Sequence, residues 1–149
     1  MNEGHCAFVG LERLRQIMDR YGIGLEAALE IVPRTTVFTT HTPVAAGHDE
    51  FPPAMVKPYL KPFEERFGMS VDQLVALGQP DGASAESPFS MFILGLRTAQ
   101  YINGVSQLHG QVARHMWSHI WPTRSDDETP ITHITNGVHI PTVLAPEIK

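Results

Sequence analysis

The sequence is short of positive charge. Its 149 residues carry 11 lysines and arginines, only three of them lysines, against 16 aspartates and glutamates, for a formal net charge of −5 with histidine neutral. Nucleic-acid binders usually show the opposite balance, a basic surplus that neutralises phosphates. Long apolar runs are missing too. The longest, residues 91–96, is far below the ~18–20 residues that span a bilayer, and the opening residues lack the apolar core of a secretory leader. Cysteine occurs once, at Cys6, so no internal disulfide can form, which fits a reducing compartment. Nucleic acid and membrane are not expected partners, and a cytoplasmic location is expected.

What the sequence does contain suits one globular domain with a substantial core: 42% hydrophobic and 18% charged residues. Eight histidines are a high count, and 12 glycines with 12 prolines break the chain into helical blocks and punctuated loops. Apolar residues recur at three-to-four-residue spacing from Ala7 to Tyr21, so the periodicity predicts a helix from Asn2 or Glu3 to Tyr21, capped by Gly22. A second helix is expected over residues 25–32. Residues 49–67 read as a helix kinked at Pro58, with Phe51, Met55, Val56, Leu60 and Phe63 inward. Ser70 and Gln73 form a capping box for a short helix ending at Gly78, and residues 79–88 read as a polar loop. The apolar stretch 89–101 predicts a buried helix, interrupted at Asn103-Gly104. It is expected to resume over residues 105–120 with Leu108, Val112, Met116 and Ile120 on one face.

Two segments read as strands. Residues 35–40 are β-branched and aromatic, and residues 131–134 are a shorter candidate. Strands alternating with helices favour a helix-rich α/β fold. In open α/β sheets the ligand site lies beyond the carboxyl ends of the strands. The first strand delivers His41 there, and the second delivers Asn136. Their neighbours Thr39, Thr40, Thr42, Thr135 and Gly137 are small or hydroxylated, which suits close approach of a polar ligand. An imidazole and a carboxamide can each donate and accept, the equipment needed to read sugar hydroxyls.

Four ordered blocks carry a family resemblance: Met1-Asn2-Glu3-Gly4-His5-Cys6-Ala7-Phe8; Thr36 through His41-Thr42-Pro43 to Gly47-His48-Asp49; Tyr101-Ile102-Asn103-Gly104-Val105-Ser106-Gln107-Leu108-His109-Gly110; and Pro130 through Thr135-Asn136-Gly137 to His139. Together they resemble the α-glucan phosphorylases, in particular the bacterial and archaeal branch. The resemblance covers nearly the whole chain and breaks mainly at residues 79–88. Val143 stands where those relatives usually have tryptophan.

The resemblance implies that an α-1,4-glucan is cleaved by orthophosphate to α-glucose 1-phosphate with retained configuration. Pyridoxal 5′-phosphate is the implied cofactor, its own phosphate moving the proton. The implied fold is the two-domain GT-B arrangement of Rossmann-like domains facing across a cleft. Residues 1–149 match the carboxyl-terminal portion of the first, glucan-side domain, and the intact enzyme is expected to be a homo-oligomer. Carried over by position, His41 is the catalytic residue, its side chain on the terminal glucose and its carbonyl toward the anomeric carbon. Glu3 (an Asp in some members), His5, Thr42 and Asn136 match the substrate wall. Asn103, Gly104 and Val105 match a segment near cofactor and sugar.

None of the three lysines, Lys57, Lys61 and Lys149, sits in the Gly-rich context of the family's cofactor lysine. That residue is expected in a second domain absent from these residues, so the chain alone is expected to be inactive. No metal site is expected: His115 and His119 are i, i+4 neighbours but lack an HExxH pattern. His109, His133 and His139 read as structural, and Cys6 as a small packed residue. Two rival readings are a non-catalytic glucan-binding module and a His-rich metal-binding protein.

Overall fold

A computed structural model describes residues 1–148; Lys149 lies outside the described residues. In chain order the elements are α1 (Phe8–Tyr21), α2 (Leu25–Ile31), β1 (Val37–Thr40), β2 (Glu50–Phe51), α3 (Pro53–Leu60), α4 (Glu64–Phe67), α5 (Val71–Ala76), β3 (Phe89–Ser90), α6 (Met91–Arg97), β4 (Tyr101–Gly104), α7 (Gln107–Trp117), β5 (Thr132–His133) and α8 (Ile140–Val143), with short 3₁₀ turns between several of them. The chain is thus helix-rich α/β, as expected.

The three strands that position the site are parallel, in the order β1-β4-β5. Val37 pairs with Tyr101 and Thr40 with Gly104, so the carboxyl ends of β1 and β4 are level. On the other side of β1 the segment Met1–Glu3 runs parallel to it. The Thr39 amide donates to the Met1 carbonyl at 2.9 Å, and the Glu3 amide to the Thr39 carbonyl at 2.8 Å. The expectation of helix from Asn2 or Glu3 is therefore corrected. Pairing with β1 captures residues 1–3, a single 3₁₀ turn (Gly4–Cys6) follows, and the α-helix starts at Phe8.

Helix α6 divides the core. Its residues Met91 through Leu96 are all buried. Met91 and Leu94 join Leu11, Leu14, Met18, Leu60 and Leu74. Phe92, Ile93 and Leu96 join Phe38, Ile102, Ala113 and Trp117 under the sheet. A helix apolar on every face carries no amphipathic period, and this explains the largest mismatch with expectation. The stretch 89–101 is not one helix. The Ser90 hydroxyl accepts from the Ile93 amide to start α6, and the Thr98 hydroxyl donates back to the Leu94 carbonyl near its end. Tyr101 then opens β4, the central strand.

Three smaller expectations also change. Residues 49–67 divide into β2, α3, a 3₁₀ turn and α4, because Glu50 and Phe51 pair with Ser90 and Phe89; Met55 is exposed rather than inward. In α7 the buried face is His109, Gly110, Ala113 and Trp117, one position round from the expected stripe, and Leu108 is 70% exposed. The strand expected over residues 131–134 is limited to Thr132–His133. Elsewhere the outcome matches: Ser70 and Gln73 make the reciprocal capping box, and Gly22 ends α1 in the left-handed conformation.

Candidate functional site

The carboxyl ends of β1 and β4, and the turn after β5, lie side by side. The Ile134 amide donates to the Gly104 carbonyl at 2.9 Å and the Asn136 amide to the Val105 carbonyl at 3.0 Å. Asn136 is thereby held beyond β4, next to the end of β1, where His41 emerges. Both residues are exposed. Neighbouring strands are spaced roughly 5 Å apart, so the backbones at His41 and Asn136 lie at one edge of one sheet.

Most of the polar contact at this edge converges on Glu3. Its carboxylate accepts from the His41 backbone N–H, from the Thr42 hydroxyl at 3.1 Å, and from the Thr40 hydroxyl at 3.4 Å to each oxygen. Thr40 is fully buried, so its hydroxyl needs such an acceptor. Glu3 itself has φ 66° and ψ 166°, a region almost confined to glycine that costs on the order of 1–3 kcal/mol. Among the described residues it is the one non-glycine residue with positive φ. Strain of this kind persists only where surrounding contacts over-determine it, and the carboxylate supplies those contacts.

His41 is also held through its ring: Nε2 lies 2.6 Å from Oδ1 of Asn2. Sequence reasoning missed Asn2, because the contact joins residues 39 positions apart and no local pattern marks it. His5 is exposed and, with Glu3, Gly4, Thr42, Gly47, His48 and Asp49, lines a cavity of about 80 Å³. Ligand pockets typically measure about 300–1,000 Å³, so this one is too small to enclose a hexose. The sheet edge is an open wall.

The β4 residues take other positions. Asn103 is buried; its Oδ1 accepts from the Thr39 hydroxyl at 3.0 Å and its Nδ2 donates to the Gly104 carbonyl at 3.1 Å. Both ends of that amide are used within the sheet edge. At Gly104 an added Cβ would lie 2.9 Å from the Gly110 nitrogen and 3.0 Å from the His109 ring. The close approach that glycine permits here is to α7. The Val105 amide donates to Nδ1 of His109 at 3.2 Å, and the Ser106 hydroxyl accepts from the His109 amide; this serine cap also escaped the sequence reading.

Three further histidines are engaged in contacts with nearby groups. His115 pairs with Asp126 at 2.7 Å, His119 meets the Met116 carbonyl at 3.1 Å, and His139 meets the Thr142 hydroxyl at 2.6 Å. No group of three or more metal-capable side chains occurs among the described residues. Cys6 is half-buried, its thiol donating to the Asn2 carbonyl at 2.7 Å. No helix is long and apolar enough to cross a membrane among the described residues.

His48 is the histidine most altered by its surroundings. Its ring lies edge-on to Phe92 at 4.8 Å and to Trp117 at 5.0 Å. Burial there pushes its pKa below the ordinary 6.5, outweighing the nearby charges of Glu3, Asp49 and Glu50. An unfolded chain binds the proton near pH 6.5 while the folded chain resists it. The stability that His48 contributes is thus present above pH 6.5 and is lost as pH falls below that value. Urea midpoints should fall between pH 7.5 and pH 5.5, and less so in His48→Leu. An equal fall in both chains would remove His48 as the cause.

No family model matches this chain. It is 45% identical over 155 aligned residues to a glycogen phosphorylase of Mycobacterium tuberculosis, an alignment covering 99% of this chain and 17% of the relative. A maltodextrin phosphorylase of Thermococcus litoralis is 44% identical over 149 residues, covering 100% of this chain and 17% of that protein. A glycogen phosphorylase of Aquifex aeolicus is 31% identical over 149 residues, 100% of this chain and 21% of that one. The chain spans about one sixth to one fifth of the length of these curated relatives.

Proposed function

The chain is homologous along its whole length to part of the glycogen and maltodextrin phosphorylases, and from that premise we propose that it forms the sugar-side wall of an α-1,4-glucan phosphorylase. The reaction is attack of orthophosphate on the terminal α-1,4 bond, releasing α-glucose 1-phosphate from a glucan shortened by one residue. The observation that carries this proposal is identity of 44–45% over 99–100% of this chain to a glycogen phosphorylase and a maltodextrin phosphorylase. It is supported by the hydroxyl-reading groups gathered at the carboxyl edge of the sheet.

In this role the His41 ring hydrogen-bonds a hydroxyl of the terminal glucose, while its carbonyl dipole faces positive charge developing at the anomeric carbon. A fixed dipole contributes more in a water-poor cleft than in bulk solvent. Asn136 takes a second hydroxyl of the same ring. Glu3, Thr42 and His5 line the wall, with Glu3 serving mainly to fix the backbone of His41. The sheet belongs to the first Rossmann-like domain of a GT-B pair.

Pyridoxal phosphate does not fit the residues described here. It needs a lysine, yet Lys57 on α3 is ion-paired with Asp72 of α5 at 2.8 Å. Lys61 follows in the next 3₁₀ turn. We assign the cofactor to sequence elsewhere in the longer enzyme and derive no step through it. Catalysis needs the sugar on one wall and phosphate on the other, a proximity that one wall cannot supply. The purified chain, given glucan and orthophosphate, should therefore release no glucose 1-phosphate above a blank.

Binding provides the positive test. Titration of the ¹⁵N-labelled chain with maltoheptaose should shift the backbone signals of His41, Thr42 and Asn136 together. Shifts confined to other surfaces, or none at any concentration, would end the assignment.

A further inference from the structure

We infer that Asn2 is a positioning residue for His41: it selects the imidazole tautomer in which Nε2 carries the proton and Nδ1 is free to accept one from a ligand hydroxyl. The use of that acceptor rests on the sugar-wall proposal above; the tautomer itself does not. Oδ1 of Asn2 lies 2.6 Å from His41 Nε2. A carboxamide oxygen can only accept, so Nε2 donates, and a neutral imidazole with its single proton there must present Nδ1 as an acceptor.

The backbone is arranged to deliver this contact. Along an extended strand successive side chains point to opposite faces, so Asn2 and Glu3 could not ordinarily reach the same residue. Positive φ at Glu3 breaks the alternation, and both side chains meet His41: Asn2 on the ring, Glu3 on the backbone N–H. The Asn2 peptide is itself fixed, its N–H to Cys6 Sγ at 3.2 Å and its carbonyl receiving the thiol at 2.7 Å. Strain at one residue thus yields two independent restraints, one on ring protonation and one on the direction of the main chain.

Long-range ¹H–¹⁵N correlation spectra of the histidine-labelled 149-residue chain, recorded above pH 7.5, distinguish the two tautomers directly. The wild-type chain should show His41 in the Nε2–H form. Asn2→Leu, close in shape but without the acceptor, should give a mixture of tautomers and weaken maltoheptaose binding about tenfold, the worth of roughly one hydrogen bond. Asn2→Asp restores an acceptor and should keep the Nε2–H form. Glu3→Gln should leave the tautomer unchanged while speeding exchange of the His41 amide. An Nδ1–H wild-type ring would mean that the carboxamide faces the other way and would overturn the inference, as would an unchanged tautomer in Asn2→Leu. If Asn2→Leu fails to fold, Asn2→Ala, which also removes the acceptor, takes its place in the comparison with wild type. A wild-type Nε2–H ring with no sugar binding would refute the sugar wall and leave the tautomer assignment standing.

Discussion

Phe92→Ala should remove a large share of the chain's stability, on the order of 3–5 kcal/mol. Phe92 is fully buried in the first turn of α6. Its ring stacks on Trp117 at 3.9 Å and 7° between planes, and Phe38 meets it edge-on at 5.0 Å. These rings join α6, α7 and β1, and His48 closes over them from the loop beyond His41. Truncating a buried phenylalanine costs about 3–5 kcal/mol, against a total stability for small domains of about 5–15 kcal/mol. Urea unfolding followed by tryptophan fluorescence gives the difference. Leu108→Ala on the exposed side of α7 is the control, with an expected change within about 0.5 kcal/mol. A loss below about 1 kcal/mol for Phe92→Ala would mean that the sheet is not held by this stack.

Gly104→Ala should damage stability and the sugar edge together. The added Cβ would lie 2.9 Å from the Gly110 nitrogen and 3.1 Å from its Cα. Both are backbone atoms of α7, which cannot turn aside as a side chain can. Overpacking of this kind costs about 1–3 kcal/mol. Relief requires β4 and α7 to separate, and the end of β4 carries the carbonyls that hold Ile134 and Asn136. The Asn136 turn should shift, so maltoheptaose affinity should fall as well as the melting temperature. Gly137→Ala, where the added Cβ meets only open space, should be close to neutral in the melt. Equal melting temperatures for the two variants would show that the Gly104–Gly110 contact is not tight.

Elements with a local code were legible in the sequence. The stripe from Leu11 to Met18, the Gly22 stop, the Ser70–Gln73 box and the β-branched run ending at Thr40 each depend on spacing or side-chain chemistry within a few residues. The edge that presents His41 and Asn136 was legible for the same reason, since a strand's carboxyl end lies where the strand ends. Elements without a local code were misread. Residues 89–101 are apolar throughout, so helix and strand could not be separated by period. The exposed Leu108 and the buried His109 swapped places because α7 buries small residues, Gly110 and Ala113, against β4 and β5.

By itself, then, the sequence determined the α/β class, the helix ends with capping residues, and which histidine and which asparagine stand at the ends of strands. These follow from periodicity and from hydrogen bonds made within a turn or two. Tertiary structure alone decided that residues 1–3 leave the helix for the edge of β1, that Tyr101–Gly104 is the central strand, and that Asn2 and Glu3 meet on His41. Each of these joins segments about 35 to 65 positions apart, and only packing and long-range hydrogen bonds, absent from any local window, select among the conformations that each segment can adopt.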